Sequence, residues 1–104
     1  LMTTFADECP VRVTPLAVAH IRQVMDAKNL DRNRYGLRVG VKGGGCGGAA
    51  PLLGFDTATE SDHRYALQHF SVLVEKKHLM YVIGLEIDYQ DTGEVAGFVF
   101  NKGA

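Results

Sequence analysis

Residues 35–48 of this 104-residue chain read Tyr-Gly-Leu-Arg-Val-Gly-Val-Lys-Gly-Gly-Gly-Cys-Gly-Gly. Leu37, Val39 and Val41 recur at every second position, which is the period of a strand with one buried face. The glycines that surround Cys46 reach turn conformations without steric cost. The stretch therefore predicts a half-buried β-strand that runs straight into a glycine-rich connection with a single cysteine.

The rest of the chain is predicted to be mostly strands around one N-terminal helix. Thr14-Pro15 is typical of a helix start, and apolar residues at helical spacing continue the helix to about Lys28. The segment from Glu75 to Val82 is a candidate for a short second helix that ends at Gly84. The polar run after residue 57 is predicted to be a turn. Further strands are predicted at residues 11–13, 52–55, 70–74, 85–89 and 98–100. The expected fold class is mainly β with one N-terminal α-helix.

Length and composition limit the kind of protein this is. With 46% hydrophobic residues, the 104 residues suit a single domain, 1–104, and exclude a disordered chain. The net charge of −1 argues against bulk nucleic-acid binding. There is no signal-peptide pattern and no apolar run long enough to cross a membrane. Two cysteines are too few for a secreted disulfide framework, so a cytoplasmic location is expected, with Met2 as the natural start after an added Leu1.

The glycine-rich connection is the candidate site for chemistry. Glycines allow close backbone approach, and successive N–H groups in such a turn converge on an anion, which favours the thiolate form of Cys46. Thiolate is the form that binds soft metals or attacks electrophiles. No phosphate-loop pattern and no CxxC or HExxH pattern is present, so neither a phosphate loop nor a closed zinc site is expected. Local physics alone leaves a flexible hairpin tip with an incidental cysteine as an equal alternative.

The other chemically versatile residues are expected to be structural. None of the four histidines (His20, His63, His69, His78) pairs with another ligand at metal-binding spacing, so all four are interpreted as structural or solvent-facing. Glu86 and Asp88 alternate with apolar residues, which predicts two charges on the exposed face of a strand. No base for Cys46 is identifiable, so a thiol enzyme has no support beyond the cysteine itself.

Six short segments in a fixed order carry a resemblance to a known family. They are 14–15 (Thr-Pro), 36–39 (Gly-Leu-Arg-Val), 45–48 (Gly-Cys-Gly-Gly), 52–56 (Leu-Leu-Gly-Phe-Asp), 84–89 (Gly-Leu-Glu-Ile-Asp-Tyr) and 97–101 (Gly-Phe-Val-Phe-Asn). Together they resemble the HesB-like family of A-type iron–sulfur cluster carrier and assembly proteins. The resemblance implies a compact, sandwich-like β domain that forms dimers or tetramers. It also implies that iron or a [2Fe–2S] cluster is bound between subunits, received from a cluster donor and passed to acceptor apoproteins.

The sequence departs from the family pattern in its cysteines. The family uses one cysteine in the glycine-rich loop, matched by Cys46, and a Cys-Gly-Cys pair that would follow just after Ala104. Pro51 stands where members often carry an aromatic residue, and Cys9 has no counterpart. A [2Fe–2S] cluster wants four ligands, usually thiolates, and one Cys46 per chain supplies two in a dimer. The remainder would come from Cys9, an outside thiol such as glutathione, or residues beyond this sequence.

Three hypotheses follow for the function. The first is a non-enzymatic carrier that binds iron or a [2Fe–2S] cluster through Cys46. The second is a degenerate member of the family that holds no cluster and acts as a protein-interaction module. The third is a thiol enzyme with Cys46 as nucleophile.

Overall fold

The computed structural model describes residues 9–43 and 49–102. The elements in chain order are β1 (Arg12–Val13), α1 (Pro15–Ala27), β2 (Tyr35–Gly43), β3 (Ala49–Thr57), β4 (Asp62–Ala66), β5 (Ser71–Glu75), a 3₁₀ helix (Lys76–His78), α2 (Leu79–Val82), β6 (Leu85–Asp91) and β7 (Ala96–Lys102). No helix in the described part of the chain is long and apolar enough to cross a membrane. The mainly β fold with an N-terminal helix is confirmed.

The strands form two sheets. One has the order β3-β2-β5-β4, in which β2 pairs antiparallel with β3 and parallel with β5, while β4 pairs antiparallel with β5. The other has the order β1-β6-β7, with β1 parallel and β7 antiparallel to β6. The first and sixth strands of the chain are therefore neighbours, although more than seventy residues separate Arg12 from its partner Glu86.

Both sheets contribute to one hydrophobic core. Period-two alternation places one face of β2 and β5 inward, and helix α1 buries the stripe formed by Ala17, Ile21 and Met25. Helix α1 packs on β6, and α2 packs on β2. The core cluster consists of Val11, Ala17, Ile21, Met25, Leu37, Val39, Phe70, Val72, Val74, Val82, Leu85 and Ile87.

The start of α1 is tied to the second sheet. The hydroxyl oxygen of Thr14 accepts a hydrogen bond from the Ala17 N–H at 3.2 Å, and the hydroxyl donates to Asp88 Oδ1 at 2.6 Å. Pro15 occupies the first helical turn, where its missing N–H has no cost. The predicted helix over Pro15 to about Lys28 is confirmed, with Lys28 as its C-terminal cap.

Two predicted segments differ in the structure. The polar run after residue 57 is not a turn throughout, because β4 begins at Asp62 and places His63 on a strand. The candidate short helix over residues 75–82 divides into a 3₁₀ helix followed by the four-residue α2. Gly84, at a φ of 85°, ends this segment as expected.

Candidate functional site

The predicted ligand Cys46 lies outside the described residues, as do its neighbours at 44–48. The structure does fix the two strands that this connection joins. β2 and β3 pair continuously in nine register positions, from Tyr35↔Thr57 to Gly43↔Ala49. The connection that carries Cys46 is therefore anchored at both ends by a paired hairpin.

The face of β2 that points away from the core is built around glycines. Gly40 lies opposite Leu52, and Arg38 lies opposite Gly54, so small and large residues alternate across the strand pair. His78 covers Gly40 so closely that a methyl group at that position would lie 2.8 Å from its imidazole Nδ1. Gly40 is thus required to lack a side chain if His78 is to keep its place.

A cleft of about 310 Å³ opens on this face, along the middle of the β2–β3 pair. Its lining includes Arg38, Gly40, Leu52, Gly54, Glu75 and His78. Glu75 and His78 face the cleft from the segment after β5, with the carboxylate of Glu75 3.8 Å from Lys77 Nζ. Within residues 9–43 and 49–102, no group of three histidine, cysteine or acidic side chains is placed to hold a metal ion.

An ion-pair network fixes the far end of the same face. Arg38 donates from both terminal nitrogens to the carboxylate of Asp62, at 2.6 and 2.8 Å, and from Nε to Asp56 at 3.0 Å. The side chain of Asp62 is only 1% exposed. The hydrogen bonds from Arg38 lower the pKa of Asp62 to about 2, against the opposing effect of burial, with further help from the Thr59 N–H. The same contact with Asp62 raises the pKa of Arg38.

Cys9 is a free thiol that lies half-buried against the hydrophobic core. Burial raises the pKa of this thiol, and a backbone hydrogen bond with Val11 opposes that effect only in part. A raised pKa keeps Cys9 in the thiol form, which is the poorer metal ligand. Its half-buried position against the core also makes Cys9 less accessible to a cluster than a surface thiol.

The remaining predicted polar residues have structural partners. His20 stacks on Tyr89, with ring centroids 3.5 Å apart, and His63 lies beside Tyr65 on β4. Glu86 is not simply a solvated charge, because it pairs with Arg12 at 3.4 Å. Asp88 likewise accepts hydrogen bonds from Thr14 and from the Tyr89 N–H, which lower its pKa.

The segment that follows β5 carries an exposed apolar patch, formed by Met80, Tyr81 and Ile83. Leu79 and Val82 hold the same segment to the core. Lys102, the last residue of β7, reaches this segment and donates from Nζ to the Tyr81 carbonyl at 3.0 Å. His78 is the link between the apolar patch and the outer face of β2.

Sequence reasoning missed the roles of His78 and Asp62. The sequence predicts a structural or solvent-facing His78, and His78 does pack on Gly40, but its place in the cleft depends on this glycine 38 positions away. The sequence pattern places Asp62 in a polar turn. No local signal marks its pairing, because a charged residue that alternates with apolar residues on a strand, as Arg38 does, is equally typical of a solvent-exposed face.

The sequence is similar to a family of known proteins. A protein-family model described as iron–sulphur cluster biosynthesis matches residues 10–104. The Bacillus subtilis protein named uncharacterized protein SufA is 38% identical over 94 residues, which cover 89% of this chain and 77% of that protein. The putative iron–sulfur cluster insertion protein ErpA of Nitrosomonas europaea is 33% identical over 100 residues, covering 95% of this chain and 81% of that protein.

Solved structures share the architecture. Escherichia coli SufA, described as involved in the biosynthesis of iron–sulfur clusters, superimposes with a TM-score of 0.72 at 25% sequence identity. The aligned region covers 88% of this chain and 79% of the SufA chain. A structure of IscA with the [2Fe–2S] cluster gives a TM-score of 0.74 over 88% of this chain and 84% of its own. At 19% identity, the likeness to IscA shows the fold alone.

Proposed function

Because the chain belongs to the iron–sulphur cluster biosynthesis family, whose model matches residues 10–104, we propose that it is a non-enzymatic carrier. Its cargo is iron or a [2Fe–2S] cluster, bound through the Cys46 thiolate at an interface between two copies of the chain. It receives the cargo from a cluster donor and passes it to acceptor apoproteins.

The observation that carries this proposal is the register of the hairpin. Nine consecutive pairs between β2 and β3 bring Gly43 beside Ala49, so five residues connect the two strands. The connection has the sequence Gly-Gly-Cys-Gly-Gly, so Cys46 supplies its one side chain, and a thiolate is the usual protein ligand of an iron–sulfur cluster.

The ligand count determines what else the carrier needs. Two copies of Cys46 supply two of the four ligands that a [2Fe–2S] cluster takes. The half-buried Cys9, whose pKa is raised by burial, is a poor source of the others. We therefore expect the remaining ligands to be an external thiol, such as glutathione, or residues beyond the sequence given.

Anaerobic reconstitution tests the proposal directly. The chain is incubated with ferrous iron, sulfide and glutathione, desalted, and examined by visible absorption and by iron and sulfide analysis. We expect the unsubstituted chain and Cys9→Ser to gain a charge-transfer absorption, and Cys46→Ser to gain none. A colourless unsubstituted chain, or a Cys46→Ser protein with the same spectrum, contradicts the proposal.

A protein-interaction module without a cluster is the second candidate. The observation that favours it is the exposed apolar patch, because contiguous apolar surface in a small soluble domain marks a contact site. This candidate predicts that the chain stays colourless on reconstitution and that Cys46→Ala leaves partner binding unchanged. A gain of cluster by the unsubstituted chain decides against it.

A further inference from the structure

The apolar patch is formed by a segment that the core holds on one side only. Leu79 and Val82, three positions apart, pack inward. The residues between and after them, Met80, Tyr81 and Ile83, are 80%, 56% and 49% exposed. Burial of the segment's own anchors does not require large apolar residues at these outward positions. Their presence within four residues points to contact with another molecule.

Three lysines lie in or against the segment that carries the apolar patch. Lys76 and Lys77 precede it, and Lys102 lies against it, with its Nζ donating to the Tyr81 carbonyl. Lys77 has a carboxylate, Glu75, at 3.8 Å. In the described parts of the chain, Lys76 and Lys102 have no carboxylate within ion-pair distance, and a carbonyl does not neutralise an ammonium group. The surface is therefore locally basic in a chain whose net charge is −1.

The apolar patch is also connected to strand β2. His78 immediately precedes α2 and covers Gly40, three residues before the last described residue of β2. The patch is thus connected, through a single imidazole, to the strand that leads into the Cys46 connection. A protein docked on the patch would therefore lie beside the strand that precedes the proposed ligand in the chain.

Size and charge together identify the class of occupant. Three partly exposed side chains offer on the order of a few hundred Å², below the roughly 800 Å² per partner of a stable interface. A contact of this size is transient, which suits delivery and release. A second copy docked patch to patch would bring two sets of lysines together, so an acidic partner fits better.

We propose that the apolar patch with its lysine rim docks the cluster-accepting protein, through an acidic surface that bears an exposed apolar side chain. This inference rests on the proposed carrier function and adds to it the recognition surface. Met80 and Tyr81 supply the apolar contact, while Lys76 and Lys102 attract and orient the acidic partner.

Binding is measured by calorimetry with both proteins free of iron, at low ionic strength and under reducing conditions. The probe is an apo [2Fe–2S] ferredoxin of the plant type, chosen for its strongly acidic surface. We expect the Met80→Ser/Tyr81→Ser double variant to weaken binding at least about tenfold, and Lys76→Glu to weaken it severalfold. Tyr81→Phe, which keeps the ring, should bind as the unsubstituted chain does.

Val95→Ser is the matched control, since Val95 is an equally exposed apolar residue on the turn between β6 and β7. It should leave binding unchanged. No binding by the unsubstituted chain, or equal binding by the double variant, overturns the inference. So does a sedimentation experiment in which the unsubstituted chain alone is a dimer and the double variant a monomer, since a second copy then covers the patch. Because the assay uses iron-free proteins, its result is independent of whether Cys46 binds a cluster.

Discussion

The carboxylate of Asp62 shows how a single residue can depend on a partner far along the chain. Its nearly inaccessible oxygens accept hydrogen bonds from Arg38 and from the backbone and hydroxyl of Thr59. A buried charge is tolerated only when it is paired and hydrogen-bonded. The pair thereby fastens the edge strand β4 to the centre of its sheet.

Replacement of Asp62 by Asn should lower the free energy of unfolding at pH 7 by about 2 kcal/mol, since the pKa falls from 3.8 to about 2 on folding. The stabilisation from Asp62 is present above the unfolded-state pKa and is lost as the pH falls through about 2. Urea unfolding at several pH values checks both statements. The Asp62→Asn protein should show a flatter pH dependence in acid.

Asp56→Asn is the control for this prediction. Asp56 also contacts Arg38, but its side chain is 55% exposed, so we expect a loss below about 1 kcal/mol. Equal losses for the two variants would show that the buried pair has no special role.

Gly40 gives a second prediction at the scale of one residue. Gly40→Ala should lower the free energy of unfolding by about 1 kcal/mol or more, because the added methyl group would lie 2.8 Å from the His78 ring. Gly54→Ala on the neighbouring strand meets nothing within 4 Å and should be close to neutral. Thermal unfolding of both variants, and of Gly40→Ala combined with His78→Ala, measures the effect. If the combined variant lost as much stability as Gly40→Ala alone, the contact with the His78 ring would be excluded as the cause.

Single residues also set the limit of what the sequence reveals about the site. Cys46 can be identified as a candidate ligand from the local sequence alone, because glycines precede and follow it. His78 cannot be identified in this way, because the residue that it covers is Gly40, and a glycine leaves no side-chain signal of a distant partner. Whether Cys46 is a ligand stays a prediction.

Among the elements, α1 and β2 were predictable because the local signals agree. The cap at Thr14, the proline at position 15 and the apolar stripe all indicate the same helix. The alternation of apolar residues in β2 indicates a strand with one buried face. β4 was missed because its first three residues, Asp62, His63 and Arg64, are polar, which is usual for an edge strand. Only its pairing with β5 makes it a strand.

Thr14 supports a prediction at the scale of elements. Thr14→Ala removes both the cap of α1 and the hydrogen bond to Asp88, and should cost about 1–2 kcal/mol. Thr14→Ser keeps both hydrogen bonds, so its free energy of unfolding should fall by only a few tenths of the loss expected for Thr14→Ala. Denaturant unfolding followed by far-ultraviolet circular dichroism distinguishes them. A serine variant as unstable as the alanine variant would assign the effect to the lost methyl group.

At the scale of the whole molecule, the two sheets share one core. Local pattern gives the strands but not their partners, so neither the order β3-β2-β5-β4 nor the pairing of β1 with β6 was predictable. Strand order depends on contacts between residues far apart in the chain. The family resemblance supplied the architecture that periodicity could not.

A shared core predicts one cooperative unfolding transition. Leu37→Ala on β2 and Ile87→Ala on β6 remove fully buried side chains from different sheets, and each should cost about 2–5 kcal/mol. Far-ultraviolet and tyrosine signals should shift together in both variants. Val95→Ala, at an exposed position, should change little. Two separate transitions would show that the sheets unfold independently.

The parallel pairing of β1 with β6 has a consequence for how the chain folds during synthesis. The three-stranded sheet needs Arg12 beside Glu86 and Thr14 beside Asp88, contacts that span 74 residues. A growing polypeptide cannot make them until residues 86–88 have left the ribosome. Contacts of such long sequence separation also slow folding. Helix α1, which packs on β6, therefore keeps its apolar stripe uncovered until β6 has been synthesised, and such transiently exposed apolar surface is prone to aggregation.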